Sequence, residues 1–216
     1  MDVVLDTVEA RILGSLIEKE LTTPDYYPLT LNSLVAACNQ KSNRHPMVAY
    51  DEAVVVRGID ALQRKGFLAI SHMTGSRVVK YRQLLDKKIS MNGAEQAILC
   101  ELLLRGPQTL GELRTRCERM HPLESLQAVE EALTGLAGRE TPLVTQLPRQ
   151  TGMKECRYGH LFCGQPEVVP VPEPRALAVG MEQTERIIRL EEEMATLRAE
   201  VTSLREELST FRSQFA

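Results

Sequence analysis

Apolar residues recur along this chain in blocks, and the blocks come in two copies. Val8, Ile12, Leu13 and Leu16 fall at helical spacing, as do Ala94, Ile98, Leu99 and Leu102, so each copy is predicted to open with an amphipathic helix. After breaks at Thr22-Thr23-Pro24 and at Gly106-Pro107, Leu31, Leu34 and Cys38 repeat the apolar i, i+3, i+7 spacing, and Leu110, Leu113 and Cys117 do so again. A third helix is predicted from Asp51 to Lys65 and from Ser125 to Arg139, with Asp51 and Ser125 as N-caps and Gly66 as a stop. The period then becomes that of strands. Residues 67–71 and 77–81 flank Thr74-Gly75-Ser76, and residues 143–147 and 156–161 flank Gln150-Thr151-Gly152, a hairpin each time.

The copies agree residue by residue. Glu9-Ala10-Arg11-Ile12-Leu13 returns as Glu95-Gln96-Ala97-Ile98-Leu99, Val55, Ile59 and Leu62 return as Val129, Leu133 and Leu136, and Gly75, Lys80 and Tyr81 return as Gly152, Arg157 and Tyr158. Blocks in one order at offsets of 74 to 86 residues point to a duplicated domain, with boundaries at residues 1–89 and 90–164. Three helices and a two-stranded hairpin is the order of a winged helix-turn-helix domain, with helix three as the recognition element and the hairpin as the wing. The expected class is therefore mainly α with small β-hairpin wings; another small α+β domain is the rival.

Residues 165–180 carry Pro166, Pro170, Pro172 and Pro174 and read as an extended linker. Over residues 181–216 the period changes once more. Ile187, Leu190, Met194, Leu197, Val201, Leu204, Leu208 and Phe211 alternate spacings of three and four, which is a heptad seam and predicts a coiled coil. The flanking charges choose its orientation. A parallel in-register pair opposes Arg186 to Glu191, Glu193 to Arg198, Glu200 to Arg205 and Glu207 to Arg212, whereas an antiparallel pair sets like charges together. A parallel homodimer is expected.

Composition adds bounds. The chain has 216 residues, 43% apolar and 25% charged, with no membrane span and no export signal at its start, so a cytoplasmic protein without a membrane partner is expected. Its five cysteines, an odd number at positions shared with core leucines, suit reduced thiols rather than a disulfide framework. The net charge of −3 is unevenly spread: residues 1–89 carry 12 basic and 10 acidic side chains, and residues 165–216 carry 6 and 10. A local basic patch is thus compatible with an acidic total.

Four runs sharpen this reading. Thr23-Pro24-Asp25-Tyr26-Tyr27-Pro28-Leu29, Ala37-Cys38-Asn39-Gln40-Lys41-Ser42-Asn43-Arg44, Gly75-Ser76-Arg77-Val78-Val79-Lys80-Tyr81 and Leu102-Leu103-Leu104-Arg105-Gly106-Pro107-Gln108-Thr109 closely resemble the bacterial YceH family, over nearly the whole chain. The resemblance implies tandem winged-helix domains followed by a coiled segment. It brings no catalytic residue with it.

Candidate chemistry lies on the outward faces. With Val55, Gly58, Ile59 and Leu62 inward, helix three of the first copy turns Ala53, Arg57, Asp60 and Arg64 outward; in the second copy those positions are Gln127, Glu131, Thr134 and Gly138. Lys41 and Arg44 in the preceding connection, and Arg77, Lys80 and Arg82 in the wing, extend a basic patch suited to phosphates. Arg116, Arg119, Lys154 and Arg157 are further candidates in the second copy. The alternative for each is a solvated face with local ion pairs. The amide-rich stretch 39–46 could hold an anion, although asparagines there more often close turns and cap helices.

Cys156, His160 and Cys163, with Cys117 and His121, raise a zinc reading, but strand alternation separates Cys163 from the other two and no CxxC knuckle is present, so no metal or other cofactor is expected. No GxSxG, P-loop, GxGxxG or HExxH motif occurs, and no enzyme is expected. The expectation is a non-enzymatic protein that binds double-stranded DNA, of regulator type, through the first copy of a homodimer. The alternative is a protein-interaction module working through the second copy, architecturally like the tandem winged-helix subunits of chromosome-segregation complexes.

Overall fold

The computed structural model describes residues 4–71, 78–149 and 155–166. The first copy contains α1 (Thr7–Thr22), a 3-10 turn (Pro24–Tyr26), β1 (Leu29–Thr30), α2 (Leu31–Cys38), α3 (Glu52–Arg64), β2 (Leu68–Ser71) and β3 (Lys80–Gln83). A single turn, α4 (Leu85–Lys88), leads to α5 (Gly93–Arg105), α6 (Leu110–Cys117), α7 (Leu126–Ala137), β4 (Val144–Gln146) and β5 (Tyr158–His160) of the second. Among the described residues the protein is mainly helical with two small antiparallel sheets. The predicted turns 74–76 and 150–152, Arg77, Lys154, most of the linker and the whole heptad segment lie outside the described residues.

Caps explain where the helices begin. Asp6, Thr30, Asp51, Asn92, Thr109 and Ser125 each accept a backbone N–H three residues on, and Glu9, Glu95 and Glu112 answer three of them, closing reciprocal capping boxes. Gly66, at φ 73°, takes the left-handed conformation that lets the chain leave α3 and enter β2.

Each hairpin gains a neighbour that the hydrophobic pattern did not predict. β1 pairs with β3, setting Leu29 beside Tyr81, so the first sheet runs β1-β3-β2. In the second copy Gln108 does the same for β5, exchanging two backbone hydrogen bonds of 2.8 and 3.0 Å with Tyr158. The strand expected at 77–81 runs over Lys80–Gln83 in its described part, because β3 must meet β1 and β2 together and Gln83 N–H donates to the Tyr27 hydroxyl at 2.7 Å.

The larger correction concerns α1 and α5. Each was expected to bury one stripe, yet every residue of α1 from Glu9 to Glu18 is buried, as are Ala97 to Leu104 of α5. The reason is that the two copies pack through these helices, and one apolar core runs through both copies. Gly14 permits the approach: a Cβ there would lie 3.0 Å from Leu104 Cγ and 3.1 Å from Leu103 Cβ. The Cys100 thiol donates to the Gly14 carbonyl across the same contact, at 3.3 Å.

Most polar groups buried along the seam are matched, Glu101 Oε2 being an exception. Arg44 donates to both carboxylate oxygens of Glu18, at 3.1 and 2.6 Å, and to the Ala37 carbonyl. Asn43, held at φ 54°, a conformation Asn tolerates, donates through one amide nitrogen to Glu18 of α1 and Glu101 of α5. At one end of the seam Leu5 N–H donates to the Phe162 carbonyl at 2.6 Å, and the Phe162 ring meets Phe67 edge-on, centroids 6.1 Å apart.

Candidate nucleic-acid interface

Asp51 caps α3 with a 2.7 Å bond to Val54 N–H and fixes the helix's rotational setting. Val55, Gly58, Ile59 and Leu62 are buried, and Ala53, Arg57, Asp60 and Arg64 are exposed, as the period predicts. Gly58 lets α3 approach α1 closely, since a Cβ would fall 2.5 Å from Ile12 Cδ1 and displace that side chain. Arg57 and Arg64 stand two turns apart on one face, and among the described residues neither has an ion pair or a side-chain hydrogen bond.

Lys41 is exposed in the connection ahead of α3. Lys80 and Arg82, two residues apart on β3, share one half-exposed face. Arg44 does not belong to this surface. Its side chain is 0% exposed and bound to Glu18, because the stretch 39–46 turns inward toward α1 and α5. Burial alone would raise the Glu18 carboxyl, but the hydrogen bonds and charge of Arg44 pull it down to about 2. Asn39 is equally structural, exchanging two 2.8 Å bonds with the backbone of Tyr50. The anion-binding reading of this stretch gives way to a structural one.

In the second copy Gln127, Glu131 and Thr134 form the exposed face of α7, with the exposed Gly138 as its C-cap, and Gln127 donates to Glu131 at 3.0 Å. The arginines nearby are turned to internal work. Arg116 donates to Gln108 and Glu112, and Arg157 donates to Glu112 and the Pro107 carbonyl. Arg119 is 69% exposed and lies 3.7 Å from Glu18. Nothing in the sequence distinguished a seam arginine such as Arg44 from a surface one; only its approach to a buried glutamate in another helix does.

The thiols of Cys38, Cys100 and Cys117 are buried and free, and burial pushes all three up, Cys38 to about 11. Such thiols are poor nucleophiles. Burial lowers His160 to about 4, and its Nδ1 has no partner among the described residues. Among those residues no three His, Cys, Asp or Glu side chains gather closely enough to hold a metal ion, and no helix is long and apolar enough to cross a membrane.

The chain matches the family described as "Protein of unknown function, DUF480" over residues 5–153. It belongs to that family. The UPF0502 proteins of Geobacter sulfurreducens and Geotalea uraniireducens are each 56% identical to it over the full length of both chains. The UPF0502 protein of Opitutus terrae is 50% identical over 90% of this chain and 84% of its own. Family membership thus agrees with the resemblance carried by the sequence motifs and takes in the α3 face, the seam and β4.

Proposed function

We propose that each copy is a winged helix and that the protein is a non-enzymatic, double-stranded-DNA-binding homodimer of regulator type, with α3 of the first copy as its main contact. The observation that carries this reading is the pair Arg57 and Arg64, exposed on one face of a capped helix and without a protein partner among the described residues. A helix end or face of this kind can meet phosphates and base edges, and Lys41, Lys80 and Arg82 add positive charge from the preceding connection and β3. The heptad seam from Ile187 to Phe211 supplies the parallel dimer, and two modest sites in one dimer gain avidity when both engage.

The test is a titration of the full chain against random duplex at low and moderate salt. Binding that weakens as salt rises and disappears in Arg57→Glu/Arg64→Glu supports the reading; absence of binding at every salt concentration overturns it. Sedimentation checks the dimer, since a chain ending at Gln165 should run as a monomer. The second reading, a protein-interaction module, draws on α7, whose outward face pairs Gln127 with Glu131 beside a Leu126 that is 47% exposed.

A further inference from the structure

A cavity of about 550 Å³ opens where the two copies and their connection meet, a size that suits a small organic ligand. Phe67 of the first copy and Leu143 of the second lie buried beneath it, and the half-buried Ile89 gives it an apolar wall. Lys88, from the connection, and Arg139, just past α7, bring two cations; Glu140 is the carboxylate on the lining, and Glu95 pairs with Arg139 from behind it.

Neither cation is fully used. Lys88 Nζ lies 4.8 Å from the Phe67 centroid and donates to the Lys65 carbonyl at 3.0 Å, which leaves two of its three N–H groups. Arg139 donates from its two terminal nitrogens to the Ser90 carbonyl and to Glu95, both at 2.8 Å, while its buried Nε has no hydrogen-bond partner among the described residues. A buried donor without an acceptor is unfavourable.

We propose that this cavity binds a small organic anion with an apolar body, the body lying against Ile89 above the buried Phe67 and Leu143 and the anionic group between Lys88 and Arg139. Inorganic phosphate alone lacks the apolar half of the match. Because the walls come from both copies, an occupant bridges them, and the site is independent of the DNA reading.

The probe is 8-anilinonaphthalene-1-sulfonate, an aromatic sulfonate that fluoresces when shielded from water, titrated into the full chain. One saturable site per chain is expected, weakened at least about tenfold by Lys88→Glu, the loss of one charge-assisted contact. Thr141→Trp, an exposed position on the lining, should block the cavity, and Arg57→Glu/Arg64→Glu should leave binding unchanged. N-phenyl-1-naphthylamine, which lacks the sulfonate, should bind more weakly than the anion. The proposal is overturned if no saturable binding occurs, if Thr141→Trp binds as the parent does, or if the neutral compound binds as well as the anion and Lys88→Glu has no effect.

Discussion

The seam between the copies and the outward faces of α3 and α7 treat charge in opposite ways. Along α1, buried ions are held by partners: Glu18 by Arg44 and Asn43, Arg11 by the carbonyls of Cys38 and Pro46, Glu9 by Lys65. The faces meet water, and they have diverged from Arg57, Asp60 and Arg64 in one copy to Glu131, Thr134 and Gly138 in the other. A charge that is buried is fixed by its partner, whereas one that meets only water can change with little effect on the fold.

Arg44→Ala is the most damaging way to break this contrast. It strands Glu18 as a buried carboxylate and should lower stability by about 3–5 kcal/mol in chemical denaturation. The same variant should lose the acid branch of the stability profile. Glu18 is held below its unfolded value of 4.5, so its contribution is present above about pH 4.5 and fades as pH falls toward about 2. Gly14→Val comes next. Its branched side chain would enter the space of Leu103 and Leu104, and a loss of about 1–3 kcal/mol is expected from thermal melts.

Glu101 gives a smaller effect of opposite sign. Burial raises its carboxyl, the neighbouring Glu18 adds to the rise, and its Oε2 has no partner among the described residues. Its contribution is therefore full below about pH 4.5 and is lost as pH rises through its folded value. Glu101→Gln should flatten that decline, making the variant more stable than the parent at neutral pH; a steeper decline would count against this assignment. The smallest effect belongs to the exposed face. Arg57→Glu/Arg64→Glu should stay within about 0.5 kcal/mol of the parent in the same melts, so that any loss of DNA binding is a loss of contact rather than of fold.

The face of α3 was legible in the sequence because burial there follows helical period over a single element. Asp51, Ser125 and Gly66 announced their helix ends for the same local reason. The seam was not legible. Arg11, Ser15 and Glu18 read as the wet side of an amphipathic helix, and only the packing of α1 on α5, between residues 86 apart in the case of Gly14 and Cys100, makes them interior. β1 was hidden by its length, two residues whose pairing depends on a strand some fifty positions away. Arg44 sat in a stretch of amides and cations that looks like solvent-exposed loop, and its partner lies 26 residues back along the chain.

The contact of Leu5 with Phe162, and of Phe162 with Phe67, has a consequence for the order in which the protein is made. The first copy leaves the ribosome first, yet one edge of its core stays open until Phe162 has followed some eighty residues after β3. Synthesis runs from one end to the other; completion of the first core waits for the second copy. A ribosome stalled between α4 and α5 would therefore hold a first copy with Phe67 uncovered and α1 bare on the side that α5 should cover, a form for chaperones to guard rather than a finished domain.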